Sequence, residues 1–231
     1  GIADYFNTPL RVALMGGSGA GDATSIIQGG GDDLTKSTGQ VKRGEATTVK
    51  SNQKASQAEL EKAEQVRLES LKSDLEKLID ASPALRQFKD QLLLDLTTEG
   101  LRIQIVDEKN RPMFDSASSE LKPYAKEILR EMGHALNKVE NRISLSGHTD
   151  ATPYAGGDKG FGNWELSTNR ANASRRELLT GGMEESKVMR VVGLASTVLF
   201  DKNDPYNPIN RRISIIVMNK RTEEAILRDG K

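Results

Sequence analysis

Asp150 and Arg170 are the residues whose types and placing could do chemistry together. They stand in the stretch from Arg142 to Ala171, RISLSGHTDATPYAGGDKGFGNWELSTNRA. The aspartate follows Ile143-Ser144-Leu145-Ser146, and such alternation of apolar and polar residues predicts a half-buried strand. The arginine falls one turn into a helix that opens Leu166-Ser167-Thr168-Asn169-Arg170-Ala171. An acid past a strand end and a cation at a helix start suit capture of a small group carrying both charges. A carboxylate accepts from an ammonium, and a planar guanidinium grips a carboxylate through two parallel N–H bonds. Thr149 adds a hydroxyl beside the acid. Asn210 and Arg211 precede a last expected strand and could complete the pocket, whereas Arg212 alternates into a structural role. Taken singly, Asp150 could be a turn or N-cap acid, and Arg170 one half of a surface ion pair.

Other chemistries lack their groups. The chain has no cysteine, which excludes disulfides and thiolate chemistry without fixing the compartment. Its two histidines, His134 and His148, are not a pair at ligand spacing. Both read as structural, and no metal or cofactor is expected. A hydrolase would need a metal cluster, a Cys/His pair or a convincing carboxylate pair, so catalysis is not expected. Gly17-Ser18-Gly19-Ala20-Gly21 is not a phosphate loop, because no strand precedes it and no Gly-Lys-Ser/Thr follows. Tyr154, Phe161 and Trp164 could stack on a sugar face; alternatively Trp164 packs at the start of its own helix. Lys+Arg and Asp+Glu both number 33, and without a basic excess no nucleic-acid partner is expected. No apolar run approaches ~18 residues, so nothing in the chain reads as a membrane span.

Elements positioning these residues follow from periodicity. Hydrophobic residues make up 36% of the 231, so only part of the chain builds a core. Residues 1–15 are the most apolar part of the N-terminal region, with Ile2, Tyr5, Phe6 and Leu10 at helical spacing, broken by Pro9. This is either a frayed segment or an amphipathic piece that lies on a membrane or partner. Nine of the 21 glycines fall in 16–44, which predicts a flexible linker over 16–51. A helix is predicted over 52–80, within a linker segment 52–82. Its stripe of Leu68, Leu71, Leu75 and Leu78 either docks the helix on the following domain or forms a dimer seam. A domain over 83–220 then reads hairpin (Leu92, Leu94 and Leu96 against Leu101, Ile103 and Ile105), helix (121–139), strand (142–146) and helix (164–180). A helical turn (184–188), a strand (189–194) and a last strand (212–218) follow. Residues 221–231 are a tail with a loose helix. Ser167, Ala171 and Ser174 share a helix face, and their small size lets that helix sit close to a sheet. Few strands with interleaved helices give an α/β (α+β) two-layer sandwich, a mixed sheet with helices on one face.

Several ordered motifs carry a family resemblance. Phe114 with its Ser/Ala-rich turn and Leu121-Lys122-Pro123, Thr149-Asp150, Leu166-Ser167 with Arg170-Ala171, and Asn210-Arg211-Arg212 resemble the OmpA-like peptidoglycan-binding family. The resemblance covers 92–219 and implies the same sandwich. It implies a ligand, the meso-diaminopimelate of the peptidoglycan stem peptide, with Asp150 on its ammonium and Arg170 on its carboxylate. Ile2-Ala3-Asp4-Tyr5-Phe6 with Thr8-Pro9-Leu10, ahead of a glycine-rich linker and a charged helix, is similar to the flagellar stator branch of that family. That branch implies a non-covalent wall anchor in the periplasm, tethered to the inner membrane by a helix upstream of Gly1. It also implies a channel subunit reached through that helix, a homodimer, contact with basal-body ring proteins, and a channel plug at 1–15. The alternatives are another envelope tether, of lipoprotein or outer-membrane type, and a peptidoglycan hydrolase. Two departures from the family pattern stand out: Ser174, where many members carry an aliphatic residue, and a longer loop between Asp150 and Leu166.

Overall fold

The computed structural model describes residues 45–154 and 160–229. The expected plug residues Ile2, Tyr5, Phe6 and Leu10, and most of the expected linker, lie outside them. The chain divides into two compact units, 1–48 and 49–231, and of the first only the start of helix α1 is described. Helix α1 is Glu45–Ala81, several residues longer at its start than the periodicity predicted. The reason is compositional: Gly44 is the last breaker, and no Gly or Pro follows until Pro83.

The buried stripe of α1 is Leu68, Leu71, Leu75 and Ile79, with Leu78 only partly buried. Ile79 replaces the expected Leu78 because a four-residue step keeps better pace with 3.6 residues per turn after two successive gaps of three and four. These side chains belong to the core of the domain, so docking is the role the stripe performs here. A buried carboxylate adds a polar tie. Glu64 accepts from Asn141 Nδ2 at 2.8 Å and from the Lys220 N–H at 3.0 Å.

Pro83 starts a short helix α2, Pro83–Arg86, and a 3₁₀ turn at Lys89–Gln91 leads into the sheet. Strands β1 (Leu92–Thr97) and β2 (Gly100–Val106) form the expected hairpin, with Leu94 opposite Ile103 and Thr97 opposite Gly100. Helix α3 is Pro123–Leu136, β3 is Ile143–His148, and α4 is Asn163–Thr180. The expected helical turn near 184–188 is a single 3₁₀ turn, Glu185–Lys187, followed by β4, Val188–Gly193. Strand β5, Arg212–Met218, and helix α5, Lys220–Asp229, complete the chain. The sheet order is β1-β2-β5-β3-β4, antiparallel except for the β3–β4 pair that α4 connects.

Alternation sorts the strands as predicted. Leu101, Ile103 and Ile105, Ile143 and Leu145, and Ile213, Ile215 and Val217 join Ile128, Leu129, Met132 and Leu178 in one core. Apart from Ile216 the intervening positions are polar, and Gln104, Ser144, Ser146, His148, Arg212 and Ser214 are buried as well. Strand β1 departs from the expected pattern. Leu92 is buried, Leu94 only packs against the core, and Leu96 is exposed, because an edge strand has a neighbour on one side only. None of the described helices is long and apolar enough to cross a membrane.

Candidate binding pocket

Two glycines paired across β3 and β4, Gly147 and Gly193, set the position of α4. A Cβ on Gly147 would stand 2.1 Å from the Ser167 carbonyl oxygen, and one on Gly193 would stand 2.0 Å from Thr168 Oγ1. The first turns of α4 therefore lie directly on the strand ends, a closeness only glycine permits. The small face of Ser167, Ala171 and Ser174 is fully buried against them. Ser174, the departure noted in the sequence, donates its hydroxyl to the Arg170 carbonyl at 3.0 Å, so its polar atom is satisfied within the helix. At the helix start, Glu165 Oε2 accepts from the Gly162 N–H at 2.8 Å. Trp164 does not pack there as expected. It is 55% exposed, because the cap is made by Glu165 and Leu166 takes the buried position.

This seating brings Arg170 to a cavity of about 480 Å³, a usual size for a small-ligand site. Its lining includes Asp107, Phe114, Thr149, Asp150, Tyr154, Asn163, Arg170 and Arg211. Asp150 Oδ1 accepts from the Thr152 N–H at 3.0 Å, and Oδ2 accepts from Arg211 Nη1 at 2.7 Å. Arg211 Nε donates to Asp107 Oδ2 at 2.9 Å, and Asp107 Oδ1 accepts from the Met113 N–H at 2.7 Å. One guanidinium thus bridges two aspartates, one at the end of β2 and one beyond β3. Arg170 is held differently. Its Nε donates to the Ser118 carbonyl at 2.9 Å and its Nη2 reaches the Asp115 carbonyl at 3.4 Å. Its guanidinium lies 4.7 Å from the centre of the Phe114 ring, a cation–π contact. Among the described residues, no carboxylate pairs with it.

The loop behind Arg170 is strained. Ala117 has φ 53°, a left-handed conformation that costs an alanine roughly 1–2 kcal/mol, and its carbonyl accepts from Tyr154 Oη at 3.2 Å. Ala195, the other alanine at positive φ, accepts from the Thr149 N–H at 2.9 Å. Both strained residues hold pocket residues, as strain at a site commonly does.

The electrostatics follow from depth. Burial pushes the Asp107 carboxyl above its ordinary value, against the Met113 N–H and Arg211, which pull it down. Burial also lowers Arg211, but its bonds to Asp107 and Asp150 and their charges outweigh it, so the net shift is upward. The two partners differ because the Asp107 side chain is 3% exposed and that of Arg211 is 27% exposed. Arg170 is pushed down by burial, with Asp107 opposing. Three carboxylates (Asp107, Asp115 and Asp150) and two guanidiniums (Arg170 and Arg211) line the cavity, so charges of both signs border it.

Of the residues expected at the site, Thr149, Asp150, Arg170 and Arg211 are brought together around the cavity. The Thr149 hydroxyl is buried with no hydrogen-bond partner among the described residues. Asn210 is not brought there. It is fully buried and pins the 200–204 loop: Oδ1 accepts from the Phe200 and Asp201 N–H groups, and Nδ2 donates to the Asp201 and Asp204 carbonyls. Its side chain has no capacity left for a ligand, so the expected binding role for Asn210 gives way to a structural one. Asp107 was missed. Its placement just past the end of β2 repeats that of Asp150 past β3, and this was the available signal. His148 is buried beside Ser146, with Nε2 at 3.3 Å from its hydroxyl; burial, then the charge of Arg212, lower its pKa to about 3.

Comparisons with known proteins agree with this architecture. A family model described as the OmpA family matches residues 113–212. Motility protein B of Escherichia coli strain K12 is 50% identical over 230 residues, 99% of this chain and 71% of that protein. Among solved structures, a MotB-like protein from Desulfovibrio vulgaris covers 70% of this chain and 96% of its own, with a TM-score of 0.57 at 16% identity. The periplasmic domain of Helicobacter pylori MotB covers 64% of this chain and 91% of its own, with a TM-score of 0.52 at 18% identity. At these identities the two structures speak for the fold.

Proposed function

Because this chain belongs to the motility protein B family and carries an OmpA-family domain over 113–212, we propose that it is a non-covalent peptidoglycan anchor of the flagellar stator. It works in the periplasm, and its parent is held in the inner membrane by a helix outside these residues. Its role is binding under mechanical load, not turnover. Through that helix it joins the channel subunit MotA, two copies make one proton-driven unit, and basal-body ring proteins lie within reach. Residues 1–15 act as the plug that keeps the channel shut before assembly. Residues 16–44 are the linker, helix α1 (Glu45–Ala81) is the linker helix and 83–220 is the wall-binding domain.

One observation carries the reading of the pocket: a cavity bordered by charges of both signs, with a guanidinium, that of Arg170, to which no carboxylate hydrogen-bonds among the described residues. The side-chain end of meso-diaminopimelate holds an ammonium and a carboxylate. Its ammonium suits Asp150, whose oxygens keep lone pairs beyond those used by Thr152 and Arg211. Its carboxylate suits Arg170, whose Nη1 has no acceptor among the described residues. Thr149 serves either group. Asp107 does not touch the ligand; it fixes Arg211, and Arg211 fixes Asp150. Sedimentation of the protein with purified Gram-negative sacculi tests the reading. The wild type should pellet and a folded Asp150→Ala/Arg170→Ala double variant should stay in solution. Equal pelleting of the two would mean that the wall is held elsewhere.

A further inference from the structure

Beside the pocket, two aromatic rings are in contact, and a third, on the residue after Asn163 of the cavity lining, is exposed. Tyr154 lines the cavity, and its hydroxyl is tied to the Ala117 carbonyl. The Phe161 ring stands 5.3 Å from it, centre to centre, at 54°. Phe161 is 41% exposed, and Trp164, one turn further along and held at the capped start of α4, is 55% exposed. The chain has only one Trp, four Tyr and five Phe, and two of its ten rings meet here, with the sole Trp exposed at the start of the adjoining helix. A single exposed aromatic needs no explanation, but a cluster bordering a polar cavity does. The cluster is edged by amide and backbone groups: Asn163 Nδ2 donates to the Thr152 carbonyl at 2.9 Å, and both residues line the cavity.

We propose that Tyr154, Phe161 and Trp164 form a sugar-stacking platform for the glycan strand whose stem peptide occupies the pocket. The inference rests on the wall-binding reading above and adds the saccharide to it. Pyranose rings present flat C–H faces with hydroxyl and acetamido groups at their edges. Such faces pack on the negative face of an aromatic ring, while the edges find polar partners around it. The geometry of the polymer agrees. The third residue of a stem peptide is joined to its sugar through two residues and a lactyl bridge. At about 3.3–3.6 Å per extended residue that places the sugar roughly 10 Å from the peptide end. Tyr154 stands in the cavity wall itself and Phe161 packs against it, so the pair borders the cavity that the stem peptide would enter.

The test titrates the protein with two soluble ligands, a meso-diaminopimelate tripeptide and the same tripeptide on its disaccharide. The wild type should bind the disaccharide form about tenfold more tightly, the size expected of one or two good ring contacts. Phe161→Ala and Trp164→Ala should each lose most of that advantage while keeping the affinity for the free tripeptide. Because Trp164 is the sole tryptophan, its emission should shift with the disaccharide form and stay unchanged with the tripeptide. Equal affinity of the wild type for both ligands, or an advantage untouched by either substitution, overturns the platform and leaves the pocket standing. That would be the outcome if the rim were instead a protein contact. If the wild type binds neither ligand, the pocket reading fails and the platform falls with it.

Discussion

Arg211 and Arg212 are neighbours in the chain, yet they serve opposite sides of the sheet and opposite purposes. Arg211 turns to the pocket and bridges Asp107 and Asp150. Arg212 turns to the polar face, where Nε donates to Gln104 Oε1 at 3.0 Å, Nη1 to the Asn210 carbonyl at 3.2 Å and Nη2 to the Val198 carbonyl at 2.9 Å. Its guanidinium lies 5.8 Å from the Phe200 ring centre, and among the described residues no carboxylate meets it. Burial, aided by the charge of Arg102, lowers its pKa to about 10, while that of Arg211 is raised. The difference shows how a strand separates function from structure. One residue step reverses the face, so one arginine organises a ligand site and the next holds loops in place. Arg170 completes the contrast: like Arg212 it is held by carbonyls and a ring, but it borders a cavity.

The largest expected effect is on the pocket side. Arg170→Ala or Asp150→Ala removes a charge-assisted bond worth about 1.5–3 kcal/mol, so affinity for the stem peptide should fall roughly tenfold to a hundredfold. Arg170→Lys should lose most of it too, because an ammonium lacks the planar fork. Calorimetric titration reads this directly, and an Arg170→Lys variant of wild-type affinity would mean that point charge alone suffices there.

Next in size comes the structural side. Arg212→Met leaves three acceptors without their donor and should lower stability by about 2–3 kcal/mol in urea unfolding. Stem-peptide binding by the folded variant should not change. A tenfold loss of binding in Arg212→Met would erase the distinction between the two arginines.

The smallest effects are on pH dependence, and they carry opposite signs. His148 has its folded pKa lowered from 6.5 to about 3, so between those values the unfolded chain takes a proton that the native state refuses. Its contribution is therefore full above pH 6.5 and is lost as pH falls toward 3. Asp107 has its folded pKa raised above 3.8, so the native state keeps a proton longer than the unfolded chain. Its contribution is full below 3.8 and is lost as pH rises through the shifted value. Urea midpoints measured across pH 3–7 should show a shallower rise for His148→Gln and a steeper one for Asp107→Asn. Parallel curves for the two variants and the wild type would show that neither group titrates as its surroundings suggest.

Much of this was legible in the chain, for reasons that differ by residue. Strands of alternating Ile and Ser, and the face of small residues on α4, announce themselves because burial imposes their period. The paired glycines Gly147 and Gly193 went unmarked, since pairing across a parallel ladder leaves no local mark. Asp107 escaped because its role arises from Arg211, which is distant in sequence and adjacent only after β2 and β5 pair. Asn210 was misassigned for a related reason: standing next to Arg211 says nothing about which way an amide turns. One of the two readings of Trp164 packed it at the start of its own helix, as a hydrophobic residue before an N-terminus often does, but a glutamate cap and a buried Leu166 already filled that role. Left-handed Ala117 and Ala195 carry no signal at all, because alanine is not the residue a positive φ predicts.

The central claim is that the pocket recognises a zwitterionic side-chain end, with Arg170 on its carboxylate. The most direct measurement is calorimetric titration with two tripeptides that differ only at the third residue, meso-diaminopimelate or lysine. Lysine keeps the ammonium and lacks the carboxylate. The account predicts that the wild type prefers the diaminopimelate form by roughly tenfold to a hundredfold, and that Arg170→Ala binds both equally weakly. Equal affinity of the wild type for the two peptides, or a preference that survives in Arg170→Ala, would contradict it.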